Sequence, residues 1–548
     1  MKKLNKISAI VFLLLGLAFT SCETTDLDLL EDPNEITTDN ASLDRFLTRI
    51  QIDFASFIRQ QGRNGAQLTR MEYMFGRTYV NNYQPVALDG EWTLAYQNMF
   101  SDMAAAEPIA VANENFLHLG VMRILKGYTL ITLVDNFGDV PFSQATNPTE
   151  FPAPVADPGQ DVYTGAIALI DEGIDFLNQG GTPLENDFYY GNNADQWRKL
   201  GNSVKMQAYL ANGNTAAFNA IANSPGMYIS SSADDFEWQY GTNEANPDTR
   251  HPGYNADYNT SGAGRYRANW IMHTMLELGD PRMRYYFYRQ NDCTPGASCD
   301  PDGNQVTLNC SVAPRPVHFP NDMIYCSVED GYWGRDHGDN NGIPPDSFLR
   351  TAGGVYPYGG RFDDDTFGSA TVGSGGGGAG IVPIMLASYT DLMVAEAALA
   401  AGNNGAAQTA LQGALTKSIA KVQGFGNLDS DADDSFEPTS AEVNAYINTV
   451  TGDFASANNV GKWEILGNQN FITHYGNGLN PYNFYRRTGY PNDGLQFVID
   501  PSPGGFVRSF FYPANEANVN ANITQKPNVG VQVFWDNNPP SPGFPPAN

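Results

Sequence analysis

The segment from Phe116 to Val134 constrains the fold more than any other part of the chain, because it is apolar on nearly every face of a helix. Its few exceptions include His118, Arg123 and Lys126. A helix that is apolar all round is buried all round. The length suits a membrane span, but Arg or Lys near the centre would each cost about 2.5–3.5 kcal/mol there. We therefore expect a central, buried helix in a multi-helix body.

The N-terminus has the pattern of a bacterial lipoprotein signal. Basic residues at 2–6 precede an apolar run at 7–19, and small residues lead directly to Cys22. This pattern predicts that residues 1–21 form a signal peptide and that Cys22 carries the lipid as the first mature residue. Residues 22–40 are then an acidic, flexible tether. The alternative is an ordinary cleavable signal followed by an accidental cysteine.

The charge balance excludes several kinds of partner. The chain has 60 Asp and Glu residues against 31 Lys and Arg, which gives a formal net charge of −29. Such a chain is repelled by nucleic acid and by anionic membrane surfaces. We expect neutral or cationic ligands and no nucleic acid.

Four further cysteines lie close together in the sequence: Cys293, Cys299, Cys310 and Cys326. An even, clustered set in an exported protein favours disulfides, and the spacings lack the paired cysteines of a zinc site. We expect the pairs Cys293–Cys299 and Cys310–Cys326, although four cysteines allow three connectivities.

Helical periodicity is strong in two parts of the chain and fades between them. Apolar residues at helical spacing predict helices at 41–61, 91–112, 161–177, 196–210, 388–401, 405–422 and 461–475. We expect a helical scaffold at 41–222 and 383–538, a loop-rich insertion at 223–382, and a disordered tail at 539–548. Consecutive helices joined by short loops predict helix–turn–helix units stacked as a right-handed solenoid.

Several residues have predicted structural roles in these helices. Asn193 and Gln196 are spaced as a capping box, and Ser388 is placed as an N-cap. Trp92 and Trp197 fall at core positions of their helices.

The chain resembles the SusD/RagB family of surface nutrient-binding lipoproteins of Bacteroidetes, with residues 41–538 as the SusD-like domain. Asp391 departs from the family pattern, which usually has Glu at this position. The matching stretches, in chain order, are Cys22 with Asp32-Pro33-Asn34, DNFGDVPF (135–142), QWRKLGNSVKMQAYLA (196–211), SYTDLMVAEAALAAG (388–402), Gln469, RRTGYP (486–491), Arg508, Tyr512-Pro513, Glu516, Asn520 and FWD (534–536).

The resemblance implies a mainly α fold, the SusD-like fold of tetratricopeptide-like helix pairs in a right-handed superhelix with a long loop-rich insertion. It also implies structural roles for Arg486, Arg487 and Arg508, which match family positions where an arginine caps helix ends or pairs with carboxylates such as Glu516. It implies a lipid-anchored protein exposed at the cell surface on the outer membrane. Its partner would be a SusC-like TonB-dependent transporter, over which it acts as a hinged lid and to which it delivers an oligosaccharide. A peptide ligand, as in RagB-like members, is the alternative.

Other classes of function have less support in the sequence. The resemblance implies no catalysis, whereas a helical glycoside hydrolase would need two facing carboxylates that we cannot single out. A surface adhesin would predict repeats or β-rich modules, which the sequence lacks. The motifs H-E-x-x-H, G-x-S-x-G and the P-loop are also absent.

Carbohydrate binding requires flat apolar rings and planar polar groups on loops. The first candidate cluster is Tyr73, Phe75, Arg77, Tyr79, Asn81 and Tyr83. The second is Tyr332, Trp333, Arg335, Asp336, Tyr356, Tyr358 and Arg361. Two reserve pairs are Trp238 with Tyr240 and Tyr254 with Arg265. The alternative for each aromatic residue is packing under a loop. If Trp333 contacts the ligand, its replacement by Ala should weaken binding and spare thermal stability.

No cofactor is predicted, and a structural Ca²⁺ ion has only weak support. Asp429, Asp431 and Asp433 have the spacing of a calcium loop, but Asp434 and Ser440 stand where Gly and Glu are needed. A similar weak oxygen cluster is Asp300, Asp302 and Asn304.

Overall fold

A computed structural model describes residues 42–75, 78–293, 310, 314–319, 321, 324–339, 349–492, 495, 505–541 and 543–546. The predicted signal peptide, Cys22 and the tether lie outside these ranges. Arg77, Cys299 and the oxygen cluster at 300–304 also lie outside them.

The N-terminal part of the scaffold consists of helices that follow one another closely. A π-helical stretch, Thr93–Phe100, leads into the second of them. In chain order they are α1 (Leu43–Leu68), α2 (Ser101–Ala112), α3 (Phe116–Phe137), α4 (Gly159–Gln179), α5 (Ala194–Ala211) and α6 (Thr215–Ala222).

The insertion contributes one longer helix, α7 (Asn269–Leu278), and two small antiparallel pairings. Strand β1 (Phe236–Gln239) pairs with β4 (Ile381–Met385), so that Trp238 lies opposite Val382. Strand β2 (Phe287–Tyr288) pairs with β3 (Ala352–Gly353). The β1–β4 pair joins the start of the insertion to its end, and the chain then re-enters the scaffold.

The C-terminal part of the scaffold contains α8 (Ala387–Ala400), α9 (Asn404–Gln423), α10 (Ser440–Ser456), α11 (Asn459–Thr473) and α12 (Leu479–Thr488). Shorter α-helical turns are Tyr79–Asn82, Asp89–Trp92, Pro252–Asp257, Met283–Tyr286, Val355–Tyr358 and Ala514–Ala517. Turns of 3₁₀ helix are Pro85–Leu88, Pro225–Met227, Ser232–Asp234, Gly426–Leu428 and Asp434–Phe436. The mainly helical fold predicted from the sequence is confirmed.

Helix α3 is the buried central helix that the sequence predicts. Among the described residues it alone is long and apolar enough to cross a membrane, and 89% of its most apolar window is buried inside the protein. The helix ends at Gly138, whose φ of 77° favours glycine. Its charge is compensated internally, because Arg123 donates to Glu107 at 3.0 Å and to Glu172 at 2.6 Å. The apolar run is therefore a core helix.

Helices α3 and α4 form the tightest helix pair of the scaffold, and glycines at their interface allow it. A Cβ atom on Gly120 would lie 2.9 Å from the carbonyl oxygen of Gly173, and one on Gly127 would lie 2.8 Å from that of Ala166. Larger residues would push the backbones apart. Glycine at these positions therefore sets the separation of the two helices.

Two predicted helix starts differ from the structure. Asn193 does cap α5, since its side chain accepts from the backbone N–H groups of Asp195 and Gln196. The amide of Gln196 donates instead to the carbonyl oxygen of Ala233 at 2.6 Å, so the capping box does not form. Helix α8 begins at Ala387 without a side-chain cap, and Ser388 lies inside it.

The C-terminal arginines hold the chain end onto the scaffold. Arg508 forms a buried ion pair with Asp536, not with Glu516, and Arg487 pairs with Glu396 at 2.8 Å. Arg486 donates to the carbonyl oxygen of Asp135 at 2.7 Å. The three arginines thus have structural roles, but their partners are Asp536, Glu396 and the carbonyl oxygen of Asp135, and not Glu516.

The residues predicted as a disordered tail are partly ordered around the same arginine. Arg508 donates to the carbonyl oxygens of Pro539 at 2.7 Å and Phe544 at 3.0 Å. The guanidinium also lies 5.4 Å from the Phe544 ring centroid. Residues 539–541 and 543–546 therefore pack on the scaffold, because a buried arginine offers donors that backbone carbonyls satisfy.

In the insertion, Cys310 and Cys326 form a disulfide. Cys293 is also disulfide-bonded. The predicted Cys293–Cys299 pair stays a prediction, because Cys299 lies outside the described residues.

Candidate functional site

Tyr73, in the segment after α1, forms a cluster of rings and arginines with three residues of the insertion, Tyr266, Arg335 and Arg350, and we call this cluster the Tyr73 surface. The two tyrosine rings meet edge to face, with centroids 5.9 Å apart. The Arg335 guanidinium lies 5.0 Å from the Tyr73 centroid and 5.1 Å from that of Tyr266. Arg350 lies 4.0 Å from the Tyr266 centroid. These cation–π contacts hold both rings in place.

Three chain segments build this surface by pairing their backbones. The segment after α1 forms an isolated bridge between Glu72 and Arg267, and Ala268 bridges in turn to Arg335. The N–H of Gly338 donates to the carbonyl oxygen of Met74 at 3.1 Å. The segment after α1 thereby pairs with the insertion both at Arg267 and at Gly338. The two loop clusters that were predicted separately from the sequence are therefore neighbours.

Two acidic residues lie at the base of the Tyr73 surface, and one of them, Asp339, fixes Arg335. Asp339 accepts from Arg335 at 2.8 Å, and its carbonyl oxygen accepts from the Tyr73 hydroxyl. Asp336 accepts from the Asn269 amide at 2.9 Å and from the backbone N–H of Cys326 at 2.7 Å. Burial raises the pKa of Asp336 to about 6. The carboxyl group is therefore partly protonated in mildly acidic solution.

Phe75 provides the exposed apolar part of this region. Its side chain is 58% exposed, two residues after Tyr73, which is itself only partly buried. Asn81, a few residues further on, is also exposed, and Arg77 lies outside the described residues. Phe75 therefore supplies an exposed ring in the chain segment that also carries the fixed ring of Tyr73, and the exposed amide of Asn81 supplies hydrogen-bonding groups a few residues further along. This is the chemistry by which a protein holds a sugar ring.

A second partly exposed aromatic group lies against the first half of α1, and we call it the Trp238 surface. Phe188 is 43% exposed and meets Trp238 edge to face at 5.5 Å. Tyr189 lies 5.7 Å from Trp238, and its hydroxyl donates to the carbonyl oxygen of Gln51 on α1 at 3.1 Å. Trp238 and Tyr240, predicted as a reserve pair, thus have a half-exposed setting.

Most of the other predicted aromatic residues are buried, which corrects their assignment to a ligand surface. A ring without a free face cannot stack on a sugar. The buried residues are Tyr79, Tyr83, Tyr254, Tyr332, Trp333, Tyr356 and Tyr358. Trp333 is 0% exposed and donates from its indole nitrogen to the carbonyl oxygen of Cys293 at 2.6 Å. It is a core residue of the insertion.

The remaining predicted polar residues have internal partners. Arg361 donates to the Tyr288 hydroxyl at 2.6 Å and covers the Tyr288 ring at 4.6 Å. The backbone N–H of Arg265 donates to Asp257 at 3.2 Å, and its side chain is partly buried.

Three residues of these surfaces were not predicted from the sequence: Tyr266, Arg350 and Phe188. Tyr266 stands in an alternating Arg-Tyr-Arg run, and Phe188 opens a run of three aromatic residues. Both runs contain the aromatic rings by which the other candidate clusters were selected, and the run around Tyr266 also contains arginines. Arg350 carries no such local signal, because only tertiary packing brings it over Tyr266.

No group of three or more His, Cys, Asp or Glu residues suited to a metal ion occurs among the described residues. Asp429 accepts instead from the backbone N–H of Phe362 at 3.0 Å, and Asp433 caps the turn that follows it. Two of the three carboxylates with calcium-loop spacing thus accept hydrogen bonds from backbone N–H groups.

Comparison with protein families decides what kind of protein carries these surfaces. The SusD-like family model, described as starch-binding associating with outer membrane, matches residues 33–309. The chain belongs to this family. SusD-like proteins are outer-membrane nutrient-binding proteins and are not catalytic, so the chain is not an enzyme.

Solved structures agree on the fold of this SusD-like chain. A SusD/RagB family protein from Bacteroides thetaiotaomicron matches with a TM-score of 0.66 and 17% identity, covering 91% of this chain and 99% of that one. A chitin-binding SusD homologue from Flavobacterium johnsoniae has a TM-score of 0.62, 17% identity and the same coverages. A further chitin-binding protein matches at 0.62 with 19% identity, covering 91% of this chain and 100% of that one. A comparison with curated proteins found no match.

Proposed function

We propose that this SusD-like protein captures an oligosaccharide at the Tyr73 surface and delivers it to a SusC-like TonB-dependent transporter. The observation that carries the proposal is the exposed ring of Phe75, two residues after Tyr73 of the fixed Tyr73–Tyr266–Arg335 cluster. The family description and the chitin-binding relatives agree with a glycan ligand. The net charge of −29 favours a neutral or cationic glycan over an acidic one.

The ligand class is tested by titrating the purified protein with neutral oligosaccharides and, in parallel, with peptide digests. Calorimetry of the Phe75→Ala variant should show about tenfold weaker oligosaccharide binding, because an aromatic contact is worth about 1 kcal/mol or slightly more. The matched control is Met227→Ala, which removes a side chain of similar exposure (50%) from another part of the surface. Binding of peptides without binding of any oligosaccharide would instead support a RagB-like peptide carrier.

We further propose that a lipid on Cys22 anchors the protein to the outer membrane at the cell surface, where it closes over the transporter by a hinge motion. Metabolic labelling with a fatty acid tests the anchor. The Cys22→Ala variant should lose the label and leave the membrane fraction. Affinity purification of the membrane-bound protein should recover a β-barrel transporter, and its consistent absence would contradict the partnership.

A further inference from the structure

A cavity of about 500 Å³ lies within the helical scaffold and shares no lining residue with the Tyr73 or the Trp238 surface. This volume is typical of small-molecule sites, which are about 300–1,000 Å³. Its walls combine small apolar residues of α8 with four aromatic side chains. The aromatic residues are Tyr209, Phe218, Trp463 and Tyr490.

Three helices end at this cavity. Its lining includes the last turns of α5, α8 and α12, which end at Ala211, Ala400 and Thr488. After each of them the chain turns away through a glycine with positive φ, namely Gly213, Gly402 and Gly489. A helix C-terminus carries a partial negative charge. Three such ends make the cavity attractive to a cation.

The aromatic walls of the cavity also favour a cation. The rings of Trp463 and Tyr490 are nearly parallel, at 16°, with centroids 6.2 Å apart, and both side chains are partly exposed. The faces of Trp and Tyr attract cations through their quadrupoles. Flat rings also offer a platform for the apolar face of a cyclic ligand.

The only ion pair described in the lining is neutral overall. Arg487 donates from Nε and Nη2 to the two carboxylate oxygens of Glu396, both at 2.8 Å. This bidentate geometry fixes the guanidinium and cancels its charge locally. Because Glu396 neutralises Arg487, this pair does not cancel the negative potential of the helix ends.

We propose that this cavity binds a protonated amino sugar. The ammonium group would lie near the helix ends, and the sugar ring would lie against Trp463 or Tyr490. The volume and the flat aromatic platform favour a cyclic ligand over the slender side chain of a lysine. This inference extends the proposed carbohydrate-binding function to a second, charge-selective site, and it rests on that function for its biological meaning.

The test uses glucosamine and its neutral counterpart N-acetylglucosamine as probes, titrated into the Phe75→Ala protein so that the Tyr73 surface is weakened. Glucosamine should bind about tenfold more tightly than N-acetylglucosamine, the factor expected from one cation–π contact. Equal affinities, or tighter binding of the neutral sugar, would overturn the proposal. Preferential binding of lysine amide would also overturn it, in favour of a protein segment as the occupant.

A blocking variant locates the binding without removing a core residue. Ala400 is the exposed last residue of α8 and lines the cavity, so Ala400→Lys should fill the cavity with a tethered ammonium group and abolish glucosamine binding. The matched control is Ala112→Lys, at the exposed last residue of α2, which should bind like the parent. Retained binding in Ala400→Lys would contradict the site. If the Tyr73 surface proves not to bind oligosaccharides, the expected effect of Ala400→Lys on glucosamine binding stays the same. Each of the two proposals can therefore be contradicted without the other.

Discussion

The carboxylate of Asp336 accepts a hydrogen bond of 2.7 Å from the backbone N–H of Cys326. Cys326 is bonded to Cys310, so this contact joins the disulfide-closed loop to the base of the Tyr73 surface. Asp336 is 7% exposed, and burial raises the pKa of its carboxyl group from 3.8 to about 6. A neighbour of the proposed ligand site therefore changes its charge in mildly acidic solution.

Replacing Asp336 by Asn should change how stability depends on pH. Because the pKa is higher in the folded state, the folded protein binds more protons than the unfolded chain between about pH 4 and 6. The contribution of Asp336 to stability therefore falls as pH rises through this window, by up to about 3 kcal/mol. Urea denaturation at several pH values should show that Asp336→Asn removes this part of the slope. Identical slopes in both proteins would contradict the raised pKa.

Replacing Trp333 by Ala should destabilise the protein by about 3–5 kcal/mol, the usual cost of deleting a large buried aromatic ring. This reverses the expectation from the sequence, because the side chain is 0% exposed. Thermal and urea denaturation measure the loss, and Phe75→Ala is the control, since its exposed ring should leave stability nearly unchanged. An unaltered melting temperature for Trp333→Ala would show that the residue is not part of the core.

Asp135 should be among the most sensitive polar residues of the scaffold. Its buried carboxylate accepts from Trp535 at 2.9 Å, from Asn483 at 2.7 Å and from the Tyr163 hydroxyl. Asp135→Ala leaves these donors unpaired and should cost about 3–5 kcal/mol. The comparison variant is Asp175→Ala, on the exposed face of α4, with an expected change within about 0.5 kcal/mol. Similar urea midpoints for the two variants would argue against a hub at Asp135.

Gly65 on α1 should not tolerate even a methyl group. A Cβ atom there would lie 2.2 Å from the carbonyl oxygen of Gly478, which is backbone and cannot rotate away. Gly65→Ala should therefore lower stability despite the higher helix propensity of Ala. The matched control is Gly452→Ala within α10, where a Cβ meets nothing within 4 Å. That variant should gain up to about 1 kcal/mol, and a gain at both positions would refute the close helix–loop contact.

The scaffold could be predicted from the sequence because its signals are local. The apolar run of α3 and the amphipathic pattern of α1 each report burial through spacing along one helix. Helix ends were less certain, since Gln196 bonds to a distant carbonyl and not to its own helix start. Tertiary hydrogen bonds thus overrode a valid local pattern.

The ligand surface was only partly predictable, because aromatic composition does not distinguish exposed rings from buried ones. Tyr73 and Trp333 stand in equally aromatic loops, yet one is partly exposed and the other is enclosed. What separates them is backbone pairing between segments far apart in the sequence, such as the bridge from Glu72 to Arg267. Arg350 and the scaffold cavity arise from the same long-range packing.

The charged residues inside α3 also matter before the protein has folded. An outer-membrane-associated protein must first cross the inner membrane as an extended polypeptide, when Arg123 and Lys126 are not yet packed among Glu107, Glu172 and the ring of Phe100. An uninterrupted apolar stretch of 22 residues would resemble a stop-transfer sequence. These two cations raise the free-energy cost of inserting the segment into a bilayer, which disfavours its retention there as a stop-transfer sequence.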